Sequence, residues 1–245
     1  MEEYNSKNKA MAVPDNCEGQ TPPHTWIMVS TPEPLRTIFT AIRTCYSPYD
    51  QTYIAYDEYF QYLNKPDKSG KYPNDVIRLL AQITRMEYLS TLEHVSFTFG
   101  INCVSRSLLA QLTRHRVGWS YSVQSQRYVA SETESKHGPF KYITPPSIEA
   151  NEAATLLFRE LMEDIQEIYD RLKTMGVKSE DARYVLPNCA TTNITVTCNL
   201  RAFLDFYKKR NSETHAQWEI AKLAEKMKQE ILEVEPGLSF VFEGF

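Results

Sequence analysis

Glycine is scarce in this 245-residue chain, 8 in all, and none falls in a G-x-G-x-x-G or G-x-x-x-x-G-K-[ST] pattern. A Rossmann fingerprint or a P-loop, which would wrap phosphate in backbone N–H groups, is therefore missing. The five cysteines, Cys17, Cys45, Cys103, Cys189 and Cys198, are odd in number, scattered and without a C-x-x-C pair, which fits reduced thiols and offers no structural zinc site. His24, His94, His115, His137 and His215 form no H-E-x-x-H, so no metal is expected. No apolar run reaches the roughly 18 residues of a membrane helix, and the opening MEEYNSKNKAMAVPDNCEGQTPP has no apolar core for export. Together these absences point to a cytoplasmic protein without a membrane partner. Positive charge is in deficit as well: 27 Lys and Arg against 31 Asp and Glu give a formal net charge of -4. Basic and aromatic residues do not interleave, which disfavours a nucleic-acid partner.

The cations that are present are concentrated. The run Arg114-His115-Arg116-Val117-Gly118-Trp119-Ser120-Tyr121-Ser122-Val123-Gln124-Ser125-Gln126-Arg127 sets three arginines and a histidine among hydroxyls. Arginines presented with Ser hydroxyls and turn N–H groups supply the charge-assisted, bidentate donors that phosphate oxygens need. The same cluster can be read as a solvated helix end, yet its density of donors exceeds what a helix end requires. A focused pocket for a small phosphorylated ligand is the expectation. Arg183, Arg201 and Arg210 add cations in segments that mix capping residues with apolar anchors.

With 42% hydrophobic and 24% charged residues, the chain can bury one sizeable core. Residues 1–25 read as a mobile arm and 26–245 as a single catalytic domain. Trp26 to Val29 suits a short strand, and Thr31-Pro32 opens a helix with Leu35, Ile38, Phe39 and Ile42 inward. A short helix is expected around Asp57 to Leu63, and another behind a cap at Asn74 or Asp75. From Val95 to Cys103 apolar and polar residues alternate as in a half-buried strand. Ser105 then caps a short helix whose C-terminal end delivers Arg114-His115-Arg116. Ser147 opens a long amphipathic helix with Ala153, Leu156, Leu157, Leu161, Ile165, Ile168 and Leu172 on one stripe, ending at Gly176. A second strand runs Thr191 to Cys198, followed by helices capped by Asn199 and Thr214.

The run RHRVGWSYSVQSQRY resembles the signature of the flavin-dependent thymidylate synthases. Leu92-Glu93-His94-Val95-Ser96-Phe97-Thr98-Phe99, Ala182-Arg183-Tyr184-Val185-Leu186-Pro187 and Asn199-Leu200-Arg201, followed by Arg210 and His215-Ala216-Gln217-Trp218-Glu219, agree in order, so the likeness spans residues 26 to 235. Three departures stand out. Eight residues separate Arg116 from Ser125 where the family usually has seven, and Val123 stands where many members carry an acidic or amide side chain. A further extra residue falls between Arg210 and His215.

The resemblance implies an α+β fold with an antiparallel sheet and packed long helices, assembled as a homotetramer with FAD sites between subunits. It implies reductive methylation of dUMP to dTMP, with methylenetetrahydrofolate as carbon donor, FAD as redox carrier and NADPH as reductant. It puts Ser90, Arg114, His115, Arg116, Val123, Asn199, Arg201 and Asp205 on FAD. Gln111, Ser125, Gln126, Arg127 and Arg183 fall on dUMP, with Arg114 touching both ligands and Arg210 facing the uracil as the catalytic residue. Two other readings remain at this stage. Cys189, after the Leu186-Pro187 turn, could serve a thiol-dependent methyl transfer to a pyrimidine nucleotide, and the arginine cluster could belong to a non-catalytic nucleotide or RNA-binding module.

Overall fold

The computed structural model describes residues 23–129, 131–135 and 138–243, so nearly all of the arm expected over residues 1–25, and His137, lie outside the described residues. In chain order the elements are β1 (His24–Ser30), α1 (Pro34–Thr44), α2 (Gln51–Tyr53), α3 (Tyr59–Leu63), α4 (Asp75–Arg85), β2 (Ser96–Ser105), α5 (Arg106–Leu112), β3 (Trp119–Val123), α6 (Pro146–Glu149), α7 (Glu152–Thr174), α8 (Ser179–Ala182), β4 (Thr191–Asn199), α9 (Leu200–Arg210) and α10 (Trp218–Val234). They fall into two compact units, a larger one of residues 23–124 and 192–243 and a smaller one of residues 125–191.

In the larger unit the strands order β1-β2-β4-β3, with β1 antiparallel to β2 and β3 antiparallel to β4. The expected α+β class is the one observed. Strands β2 and β4 hold the centre because their alternate residues Phe97, Phe99, Ile101, Ile194, Val196 and Cys198 are all buried. On the other face Thr98 and Thr197 meet hydroxyl to hydroxyl at 2.9 Å. Gly100 is buried on that face too, since the Trp26 indole lies on it and leaves no room for a Cβ. Helices α1, α4, α9 and α10 close the core with Ile38, Phe39, Leu80, Phe203, Met227 and Ile231. Each such side chain stabilises the fold by about 1.5–3 kcal/mol on burial.

Local signals explain most boundaries. The side chain of Asn74 accepts from Ile77 N, that of Ser105 from Leu108 N and that of Asn199 from Ala202 N, each ending a strand or loop and starting a helix. The tyrosine-rich stretch is more helical than expected, because Asp50 caps α2 and a π-turn over Ile54–Glu58 joins it to α3. The turn buries Glu58, which pairs with Arg43. The cap of α10 is Gln217 and not Thr214, whose hydroxyl donates instead to Asn211 O. Strand β3 was not expected: its half-buried Trp119, Tyr121 and Val123 alternate with exposed Ser120 and Ser122, a period hidden by the serine content. Cys45, Cys189 and Cys198 are free thiols, but Cys103 is disulfide-bonded, in contrast to the reading of all five as reduced.

The smaller unit contains α6, α7, α8 and an isolated antiparallel bridge between Tyr142 and Ala190. The expected single long helix is broken at residues 150–151, where the Asn151 side chain accepts from Ala154 N and restarts the chain as α7. The expected apolar stripe is turned outward. Leu156, Leu157, Leu161 and Ile168 are each about half exposed or more, while α7 buries Met162 and Tyr169. No helix among the described residues is long and apolar enough to cross a membrane.

Candidate functional site

Helix α5 is pinned at its start and delivers the cations at its end. The buried carboxylate of Glu219, in the first turn of α10, accepts from Ser105 N at 2.7 Å and from Ser105 Oγ at 2.5 Å, and Ser105 in turn caps α5. Burial pushes that carboxyl above its ordinary range, against the pull of the two Ser105 donors. At the far end His115 N bonds Leu112 O, and the Tyr121 hydroxyl lies 2.6 Å from His115 O. Arg114 and Arg116 thus leave a fixed backbone.

The loop then lies on the N-terminus of α9. Gly118 has φ +74°, its carbonyl accepts from Asn199 N at 3.2 Å, and a Cβ there would stand 2.7 Å from Ala202 Cβ and 2.8 Å from Asn199 Nδ2. Only glycine satisfies both the angle and the contact. We expect Gly118→Ala to lower stability by about 1–3 kcal/mol, read as a fall in the thermal unfolding midpoint. An unaltered midpoint would mean that the loop can lift off α9 freely.

Farther along α9, the His115 ring packs edge-on to Phe206 with centroids 5.0 Å apart, and Arg210 Nε donates to His115 Nε2 at 3.3 Å. Burial, joined by the positive charges of Arg210, Lys209 and Arg114 and opposed by Asp205, holds the imidazole down to about 4. His115 is therefore neutral near pH 7 and acts as the acceptor that aims the Arg210 guanidinium.

Arg114, His115, Arg116, Asn199, Asp205 and Arg210 are in this way gathered along one helix. Ser90 and Glu93 come from the 3-10 turn Leu89–His94, tied to α9 by an ion pair of Arg201 Nη1 with Glu93 Oε1 at 2.5 Å. Among the described residues Arg114 and Arg116 are exposed and have no ion pair. Asn199 spends its Oδ1 on the cap of α9, which leaves its amide NH2 to donate outward. Exposed guanidiniums of this kind suit the diphosphate of a dinucleotide in the chemistry of their donors. Gln111 is half-buried on α5, its amide 3.4 Å from Ser107 O. Val123 sits elsewhere, in an open depression of about 300 Å³ on the sheet with Trp26, Met28, Asn102 and Gln124.

The remaining candidates lie within the smaller unit. Ser125 Oγ accepts from Arg127 N at 3.2 Å, and Arg127 Nε pairs with Glu180 Oε2 at 2.8 Å. Arg183 Nε donates to Glu180 O at 3.0 Å, so Arg127 and Arg183 both touch Glu180, with Gln126 half-buried between Ser125 and Arg127 in sequence. Sequence reasoning missed Glu93 and Glu180, since no spacing links them to Arg201 and Arg127. It also missed Phe206, although its position one helical turn before Arg210 could have revealed it. Cys189 is half-buried beside Met162, with Sγ and Sδ 3.6 Å apart, and burial pushes its thiol up to about 11. A thiol that stays protonated at neutral pH does not fit thiol-dependent methyl transfer.

The family described as Thymidylate synthase complementing protein matches residues 27–237. A flavin-dependent thymidylate synthase of Clostridium tetani is 37% identical, covering 87% of this chain and 84% of its own length. Another, of Nitratidesulfovibrio vulgaris, is also 37% identical, over 89% of this chain and 86% of that one. Among solved structures, a flavin-dependent thymidylate synthase from Helicobacter pylori complexed with FAD and dUMP aligns with a TM-score of 0.64 at 25% identity, covering 90% of this chain and 98% of that one. A UMP/dUMP methylase from Streptomyces cacaoi bound with 5-Br dUMP aligns at 0.72 and 22% identity over 92% and 96%, a likeness of fold. With the family matched over nearly the whole described chain and its relatives this similar, the protein belongs to the flavin-dependent thymidylate synthases.

Proposed function

We infer that this chain converts dUMP to dTMP with FAD as cofactor. The observation that carries this reading, beside the family, is the row of cations along α9, ending in an Arg210 aimed by a neutral His115. Bound FAD supplies the hydride and one-carbon chemistry that no side chain here can provide. The chain's own tasks are to bind, to orient and to stabilise charge. In this reading Arg114 and Arg116 hold phosphate of FAD together with Asn199 and Arg201, Ser90, His115 and Asp205 complete its surroundings, and Val123, set apart on the sheet of one chain, meets the cofactor from another subunit of the proposed tetramer. Arg127 and Arg183 neutralise the dUMP phosphate, with Ser125, Gln126, Gln111 and Arg114 as further donors. Ser125 is a phosphate ligand and not a nucleophile, since its Oγ accepts from Arg127 N and no base lies against it among the described residues. Arg210 faces the uracil, where negative charge develops on a ring oxygen or nitrogen as the ring carbon becomes nucleophilic.

Methylenetetrahydrofolate as carbon donor, NADPH as reductant and a cytoplasmic location complete the proposal. A homotetramer with FAD sites between subunits is supported by the outward stripe of α7. A row of Leu156, Leu157, Leu161 and Ile168 in water is the kind of apolar patch that another subunit covers.

The test begins with flavin. The purified protein is expected to carry flavin absorbance and to form dTMP from dUMP when folate and NADPH are supplied. Arg114→Ala should weaken FAD binding by about 1.5–3 kcal/mol, roughly 10- to 150-fold, as a charge-assisted contact is lost. A flavin titration with unaltered affinity would remove Arg114 from the cofactor.

A further inference from the structure

One of the two guanidiniums assigned to the dUMP phosphate already has an anion on it. Glu180, in the first turn of α8, sets its carboxylate 2.8 Å from Arg127 Nε and offers its backbone carbonyl to Arg183 Nε at 3.0 Å. One residue therefore touches both cations, one through its charge and the other through its main chain. The pair is solvated, with 54% of the Arg127 side chain and 34% of the Glu180 side chain exposed. Ion pairs this exposed contribute little to stability, so fold maintenance is a weak reason for its geometry. What the carboxylate does is occupy the donor edge that a phosphate would take.

We propose that Glu180 sets the affinity of the phosphate subsite for its nucleotide, as a competing carboxylate that holds Arg127 until a phosphate dianion replaces it. The proposal rests on the reading that Arg127 and Arg183 bind the dUMP phosphate. A dianion with three acceptor oxygens outcompetes a single carboxylate for a guanidinium fork, whereas a nucleoside, with no phosphate, leaves the pair intact. The freed carboxylate then stands beside bound phosphate, and their repulsion keeps the affinity for substrate and product below what two free arginines would give. Backbone geometry supports an exchange of partners without rebuilding, because Arg127 is held at its own N–H by Ser125 Oγ while its head group changes anion.

The experiment compares FAD-loaded wild-type protein with Glu180→Gln and Glu180→Ala by calorimetry, using dUMP, dTMP and deoxyuridine as probes. Both variants should bind dUMP and dTMP about three- to tenfold more tightly, an effect of removing one nearby negative charge that shrinks as salt is raised. Deoxyuridine should bind all three proteins alike. Unchanged or weaker dUMP binding in both variants overturns the proposal, and so does an equal gain for deoxyuridine. Arg127→Ala separates this from the reading beneath it: if that variant binds dUMP normally, the phosphate assignment fails and the proposal fails with it.

Discussion

Arg210→Ala is expected to lower turnover at saturating dUMP by about two to three orders of magnitude, the scale of a lost oxyanion donor. Dissociation constants for dUMP and FAD should move far less. The reason is the timing of the charge: a fixed cation beside the uracil stabilises the anionic transition state more than the neutral ground state. His115 supplies the fixing, through the 3.3 Å bond to Arg210 Nε. Because the imidazole is held down to about 4, this bond persists as pH falls from 8 toward 5 and is lost only as the ring protonates near 4. Linkage runs in the same direction. A histidine whose folded pKa lies below its unfolded value binds its proton first when unfolded, so this group costs stability as pH drops from about 6.5 through 4. A pH profile of turnover measured alongside Arg210→Ala checks both statements. Equal losses in dUMP affinity and turnover would instead make Arg210 a binding residue.

The second large effect is expected from removing both cations that converge on Glu180. Arg127→Ala with Arg183→Ala should weaken dUMP by roughly two to four orders of magnitude, from about 1.5–3 kcal/mol per charge-assisted contact. FAD content should stay near normal. Each single variant should account for about half of the loss, with departures from additivity because both guanidiniums touch one residue. Calorimetry showing intact dUMP binding and lost flavin would exchange the roles of the two arginine groups.

Those roles were partly legible in the sequence because short-range chemistry is written in short-range spacing. Ser105 and Asn199 precede apolar-periodic runs and do cap α5 and α9. Strict alternation marked β2 and β4. The edge strand β3 escaped notice because an edge buries only one side of a few residues, and its serines look like a turn. The stripe of α7 misled in the opposite way: helical periodicity shows that one face is apolar, not what covers it. Counter-ions were the least legible feature. Glu93 finds Arg201 across 108 positions and Glu180 finds Arg127 across the smaller unit, pairings that only the folded chain creates.

The placement of residues 125–191 bears on how the sheet is assembled. The chain leaves the larger unit after β3 and re-enters it at β4, the strand hydrogen-bonded to β3, so that Gln124 N meets Asn193 O at 2.9 Å. In sequence this is a long excursion, yet in space its two ends are those of a hairpin. Loop-closure entropy grows only slowly with the length of the excursion. It shrinks further once the excursion has collapsed into a compact body of its own, since a folded insert brings its ends together as a short turn would. The β3–β4 pairing, which carries Trp119 and Tyr121 behind His115, is thus expected to form faster once residues 125–191 have collapsed.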